Sequence, residues 1–295
     1  QFKTVNTGGA PIGTWASGGA LNTARAEMGG SGSQTAALSS AGHTGTAQTG
    51  VTEQYDGSSW TEVNDMNTNT ENSAATGTQT ATISMGGYGP SAYSNATKTE
   101  LWDGSSWTTS PQTLNTAKAE HTAAGTYTAA IAVSGHDGPN TSVNVETWDG
   151  SSWTEVNNLN AARAGASQFG TQTSSIVAAG FSGGYSTLVE QWDGSSWTEI
   201  AEVNTGRYGV VGSAGDVTAG LIFGGETSTA KAALTEGWDG SSWTEVADLA
   251  TARAVGAGQS PTSNSAIYFG GATPPKVANT EEFTTTDFKI KSVTT

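Results

Sequence analysis

The stretch WDGSSW stands at Trp102–Trp107, Trp148–Trp153, Trp192–Trp197 and Trp238–Trp243, and YDGSSW stands at Tyr55–Trp60. Counting outward on the second aromatic of each copy reaches Trp15 on one side and Phe288 on the other, in steps of 45, 47, 46, 44, 46 and 45 residues. All ten tryptophans of the chain therefore sit on two phases of one repeat. A period of this length points to a solenoid, a propeller or an array.

The unit from Val203 to Glu245 shows the pattern within one repeat. A polar lead-in passes into small and branched residues suited to an inner strand. Ala219–Gly225 (AGLIFGG) is then a short apolar run ending in a small-residue doublet, which reads as a strand buried on both faces. After a variable loop, LTEGWD and SSWTEV read as third and fourth strands. The DGSS between them is a tight turn, because Asp bonds backbone two residues on and Gly accepts positive φ. The doublet recurs as Ala41-Gly42, Gly86-Gly87, Ser134-Gly135, Ala179-Gly180, Gly224-Gly225 and Gly270-Gly271, which counts six units and implies a shared geometric need.

A four-stranded meander cannot bury both faces alone, so the units must stack, and four strands per repeat in a closing ring describe an all-β propeller. The expected architecture is one domain over residues 1–295, with units at about 21–65, 66–113, 114–158, 159–202, 203–248 and 249–290. The segment near 12–17, carrying Trp15, is expected to close the ring by joining the last blade, with the C-terminal residues around Phe288 packing outside or leading away. Seven blades, one of them partial, is the alternative.

Two charged phases accompany the aromatics. Glu53, Glu100, Glu146, Glu190, Glu236 and Glu281 lie two residues before the third-strand aromatic. Arg25, Lys118, Arg163, Arg207 and Arg253 share a position assigned to strand one, with Thr70 as the exception. A buried carboxylate is costly without a partner, so these phases are read as structural ion pairs rather than as a ligand-binding ring. Glu100, or a neighbour facing Thr70, is then expected to find another donor.

In its order of signals, a basic residue, an apolar run with its doublet, an aromatic-Asp and a tryptophan, the chain resembles the kelch repeat over nearly its whole length. Its near-identical units rich in Thr, Ser and Asn, with an ending TEEFTTTDFKIKSVTT, resemble the kelch-like virion proteins of marine bacteriophages, particularly those infecting cyanobacteria. That resemblance implies a virion or extracellular location and a structural or decorative role, as a fibre, spike or surface component. It also implies contact with other virion proteins or a host-surface glycan or protein, and it leaves assembly as a homo-oligomer open. No catalytic or binding residue carries over from it.

Composition narrows the function classes. Leu, Ile, Val and Phe make up about 14% of the chain, a value that in a strongly charged chain would indicate disorder, but a net charge of −15 over 295 residues is modest and the tryptophans supply packing surface. Eleven basic against twenty-six acidic residues, with no basic stripe, argue against nucleic acid. No apolar run is long enough to cross a bilayer as a helix. With no cysteine, thiol catalysis and thiolate metal sites are excluded, as is the cysteine–tyrosine crosslink of copper radical oxidases. The turn superficially resembles the Asp-rich turn of sialidases, but its Asp–Trp spacing is one residue shorter and the arginines are committed to a repeat phase. His43, His121 and His136 form no metal-spaced pair, and His121 is read as a packed strand-one residue. One Asp per DGSS turn falls short of the six to eight oxygens that calcium takes. The sequons at Asn95 and Asn140 match chance in so Asn- and Thr-rich a chain. The expectation is a non-catalytic protein with no cofactor and no metal; a glycan-binding lectin or glycan hydrolase domain of bacterial origin is the alternative.

Binding is expected on one rim. In an up-and-down blade the one-to-two and three-to-four turns share one rim, and the two-to-three loops share the other. The former repeat almost unaltered and the latter vary, and variable loops on a rigid scaffold carry recognition. Tyr88, Tyr93, His136, Asp137, Asn140, Phe181 and Tyr185 are the candidates.

Overall fold

The computed structural model describes residues 13–285. It is an all-β ring of six four-stranded antiparallel blades, with a single turn of 3-10 helix at Tyr93–Asn95. Five blades run inner to outer in chain order, as in β10 (Thr122–Thr126), β11 (Ala129–Val133), β12 (Val145–Trp148) and β13 (Trp153–Val156). The sixth is assembled from both ends of the chain. β1 (Gly13–Gly18) pairs antiparallel with β24 (Thr280–Thr285), setting Trp15 opposite Phe283, and β24 pairs with β23 (Ser265–Phe269). The six-blade arrangement replaces the seven-blade alternative, because the N-terminal strand fills the fourth position of the last blade. Phe288 lies outside the described residues.

Each blade interface has its own apolar cluster. Ile83, Met85, Leu114, Ala123, Ala132, Trp148 and Trp153, for example, fill the space between the second and third blades. The fourth-strand indole ties each blade to the one before it. Trp107 Nε1 donates to Thr52 Oγ1 at 3.0 Å, Trp153 to Thr99 Oγ1 at 3.0 Å, and Trp60 to Thr280 Oγ1 at 2.9 Å across the closure. The third-strand indole instead caps its own blade, as Trp148 Nε1 donates to Tyr127 O at 3.2 Å. An aromatic ring fills area and its N–H needs a partner once buried, so tryptophan at both phases meets both demands.

The doublet serves the ring. Both of its positions have positive φ, 59° at Ser134 and 91° at Gly135 in the third blade. The second is glycine in every copy, since a Cβ at Gly135 would lie 2.5 Å from Ala119 O. This close approach lets the Gly135 N–H donate to Arg163 O of the next blade at 3.0 Å, and the same bond runs around the whole disc, ending with Gly271 N to Arg25 O at 2.9 Å.

The charged phases are ion pairs within blades, all buried: Arg25–Glu53 at 2.9 Å, Lys118–Glu146 at 3.7 Å, Arg163–Glu190 at 3.0 Å, Arg207–Glu236 at 2.8 Å, and Arg253–Glu281. Each carboxylate also takes backbone N–H groups of the lead-in, as Glu146 does from Asn115 at 2.7 Å and Thr116 at 3.0 Å. At the exceptional blade Glu100 accepts from Asn67 N at 2.9 Å and from the Thr68 hydroxyl, while Thr70 turns its own hydroxyl to Tyr88 O. One expectation needs correction. The basic residues do not lie in strand one but in the lead-in, four residues before the strand begins in the first, third and fourth blades. Between them and the strand the chain makes a left-handed turn.

Candidate functional site

That left-handed turn builds the mouth of the central channel. Two residues after each basic-phase position stand Glu27, Asn72, Glu120, Gly165, Gly209 and Val255, with φ of 61°, 56°, 53°, 59°, 64° and 51°. Such a conformation is costly for a residue with a Cβ, most of all for β-branched valine. The six are joined head to tail around the axis: Glu27 N donates to Val255 O at 2.7 Å, Asn72 N to Glu27 O at 2.7 Å, Glu120 N to Asn72 O at 3.0 Å, and Gly165 N to Glu120 O at 2.8 Å. Val210 N to Gly165 O at 3.2 Å and Val255 N to Gly209 O at 3.1 Å complete the ring. The backbone is thus nearly six-fold, but the side chains are not. Three neighbouring blades carry carboxylate, amide and carboxylate, whereas the other three carry nothing larger than valine.

The loops expected to bind surround this mouth, because the residue after each doublet bridges back to the lead-in: Tyr88 to Glu71, His136 to Ala119 and Phe181 to Ala164. Tyr88 and Tyr93 meet edge to face at 5.0 Å, Phe181 meets Tyr185 at 5.7 Å and Tyr208 at 6.1 Å, and the Tyr93 hydroxyl donates to Gly138 O. His136 Nε2 lies 3.7 Å from Glu120 Oε2. Asp137 and Asn140 close their own loop, Asp137 N donating to Asn140 O at 3.2 Å, and both residues are exposed.

Glu120 is the centre that sequence reading missed. It accepts from the Tyr208 hydroxyl at 2.6 Å and from the Tyr88 hydroxyl at 3.4 Å, so residues from the second, third and fifth blades converge on one carboxylate. Tyr208 reaches it across the fourth blade because Gly165 stands there; a Cβ at that position would lie 2.5 Å from the Tyr208 ring. Burial first, and then the Glu120 charge, push the Tyr208 hydroxyl pKa well up, which keeps it a proton donor. Burial does the same for Tyr88, assisted by Tyr93 and Glu120. The signal in the sequence was the phase two residues beyond the basic one, where Glu27, Asn72, Glu120, Gly165, Gly209 and Val255 break the repeat.

A second group, Glu27, His43 and Glu71, brings three ligand-type atoms within 4.8 Å of one another. The local bonding disfavours a metal. Gly45 N donates to His43 Nδ1 at 2.8 Å, which leaves the ring proton of a neutral imidazole on Nε2, the atom that faces Glu71 at 3.8 Å. Lys276 Nζ already holds Glu27 Oε2 at 2.7 Å. The group reads as a polar network linking the sixth, first and second blades, with Lys276–Glu27 as its ion pair.

The channel below the mouth is narrow and then opens. Two small cavities of about 20 and 30 Å³ lie on the axis, both bordered by Ser73 and His121, and the second also by Gln168. Gln259 spans the channel beneath them, its Nε2 donating to Ala123 O on the opposite blade at 3.1 Å. Beyond it a funnel of about 650 Å³ opens on the other rim, lined largely by glycines and threonines of the inner strands. On that rim every DGSS turn is internally satisfied, as in Asp149 Oδ1 accepting from Ser151 N and Ser152 N at 2.8 Å each. Of the two sequons, Asn95 is buried with its amide donating to Asn69 O at 2.9 Å, so its nitrogen is already engaged.

No protein-family model and no curated protein sequence matches the chain. Among solved structures it is similar to one titled "Structure of YjhT", with a TM-score of 0.74 at 14% identity, covering 92% of this chain and 97% of the other. At that identity the likeness establishes the propeller fold alone.

Proposed function

We propose that this propeller is a non-catalytic recognition component of a bacteriophage particle, placed on the virion and acting outside the cell. Its loop rim meets a host-surface glycan or protein, or another virion protein. The observation that carries the reading is the gathering of Tyr88, Tyr93, Phe181, Tyr185, Tyr208 and Glu120 on one rim of a rigid disc. Aromatic faces with fixed acceptors suit binding. All four arginines of the chain are buried, so none is free to hold a substrate anion. The phage assignment is supported by the style of the repeats. Labelled protein is expected to bind marine cyanobacterial cells, and antibody against it to decorate phage particles. Absence of both would overturn the proposal.

A glycan-binding lectin is the second reading, favoured by Glu120 with its two tyrosine hydroxyls at the axial mouth. A hydrolysis assay on host polysaccharide separates catalysis from binding: turnover abolished by Glu120→Gln would reject the non-catalytic reading.

A further inference from the structure

Six Asp-Gly pairs stand in the chain, five in the DGSS turns and the sixth at Asp137-Gly138, in the loop after the third-blade doublet. Asp-Gly is the pair most open to succinimide formation, because a glycine following the aspartate puts no side chain in the way of its own N–H. Asp137 and four of the five turn aspartates are exposed, so it is bonding rather than access that sets Asp137 apart. In the four WDGSSW copies the Asp Oδ1 accepts from both serine N–H groups at 2.8 Å each and from the first serine hydroxyl at 2.8 Å. In YDGSSW, Asp56 Oδ1 takes Ser58 N at 2.9 Å, Ser59 N at 2.8 Å and the Ser58 hydroxyl at 2.7 Å. Such a carboxylate must release these bonds before the glycine nitrogen can close a ring on it.

The same donors hold the turn carboxyls down at about 2, whereas ring closure draws on the protonated acid, whose hydroxyl leaves as water. The turn glycines are also confined from outside. A Cβ at Gly104 would lie 3.3 Å from Thr80 O, one at Gly194 3.2 Å from Thr173 O, and one at Gly240 3.2 Å from Thr218 O. At Gly138 a Cβ would meet nothing within 4 Å. The turn from Asp137 to Asn140 closes through one backbone bond, from Asp137 N to Asn140 O at 3.2 Å. A loop tip held this lightly opens locally at small cost, so the carboxyl and the following peptide are free to meet.

We propose that Asp137-Gly138 is a site of spontaneous aspartate isomerisation, which lengthens the third-blade loop within the recognition rim. Gly138 N attacks Asp137 Cγ; the N–C bond forms, the carboxyl C–OH bond breaks, and the hydroxyl leaves with the amide proton as water. Water then opens the ring at the Asp137 main-chain carbonyl. The backbone now runs through the former side-chain carboxyl, with one extra methylene and unchanged composition. The Gly138 carbonyl, which accepts the Tyr93 hydroxyl, lies directly beyond this link, so the lengthening displaces the support of a rim aromatic. The chemistry is independent of what the rim binds; its effect on binding rests on the reading of the rim as the recognition surface.

Folded protein is aged at mildly acidic pH, and isoaspartate is located by electron-transfer fragmentation of its peptides. Releasing even one charge-assisted hydrogen bond slows ring closure about tenfold, so the Asp137 peptide is expected to gain isoaspartate at least about tenfold faster than any DGSS peptide. In urea-unfolded protein, where the turns are gone, the six pairs are expected to convert at similar rates. Equal rates in the folded protein, a faster DGSS turn, or an Asp137 excess that persists in urea overturns the proposal. Asp137→Glu can close only a six-membered ring, far more slowly, and serves as the control for binding. The unaltered chain is expected to lose cell binding in step with isoaspartate at 137, and the aged variant to keep it. Isoaspartate without lost binding leaves the site standing and overturns its link to Tyr93. If fresh protein binds no cells, the recognition reading falls and the peptide map still decides the site.

Discussion

On one rim of the disc, Asp56, Asp103, Asp149, Asp193 and Asp239 each fold the same turn around the same bonds, and their carboxyls are held down at about 2 by the serine N–H and hydroxyl donors. On the other rim the same six-fold backbone carries Glu27, Asn72, Glu120, Gly165, Gly209 and Val255, no more than two alike. Where the repeat is uniform, each polar group is spent on a neighbour within its own turn. Where it is uneven, groups from different blades meet, as Tyr208 and Tyr88 do at Glu120. The comparison separates what holds the ring from what the ring presents. It also shows that a nearly six-fold backbone carries an asymmetric set of side chains at its mouth.

The comparison breaks if the buried framework can be altered without consequence. The largest effect is expected for Arg163→Glu, which would leave two carboxylates in a buried space that now holds an ion pair with Glu190. Removing one partner of such a pair costs about 3–5 kcal/mol and reversal costs more, so the variant is expected to fail to fold or to melt at least about 10 °C lower. Thermal unfolding followed by tryptophan fluorescence checks it. Next is Trp153→Ala, which opens a cavity between the second and third blades and strands Thr99, with an expected loss of about 3–5 kcal/mol in denaturant titration.

A smaller effect is expected from acid. The turn carboxyls have folded pKa values below their ordinary 3.8, so their contribution to stability is present above about pH 4 and is lost as pH falls toward about 2. Replacing all five with Asn should lower the melting temperature at pH 6 and flatten its dependence on pH across that window. A dependence as steep as that of the unaltered protein would show that the turns do not draw on these carboxylates. The smallest effect is expected on the loop rim. Tyr185→Ser changes a half-buried loop side chain outside the buried clusters, and stability should stay within about 0.5 kcal/mol.

The ring was legible in the sequence because each blade solves the same packing problem with the same residues. Trp153, Gly135 and Glu146 meet needs that recur every blade, and recurrence is what a single sequence displays. The closure was legible from Trp15, whose phase marks it as a fourth strand without its own blade. The lead-in was misplaced because the left-handed turn at Glu120 intervenes before the strand, and a backbone reversal at a residue other than glycine leaves no composition signal. Glu120 and Tyr208 were missed for a different reason. They lie 88 residues apart and meet only because Gly165 leaves a gap between them, a contact that no local pattern encodes. Among the loop candidates, Tyr88, Tyr93, His136, Phe181 and Tyr185 fall in the rim clusters, while Asp137 and Asn140 serve their own loop.

The division between rims is tested most directly by cell binding of two variants matched for melting temperature. In one, Tyr88, Tyr93, Phe181 and Tyr185 are changed to serine; in the other, surface serines of the DGSS turns are changed to alanine. The account expects the first to lose binding to marine cyanobacterial cells and the second to keep it. Binding that survives the first change, or is lost with the second, would contradict it.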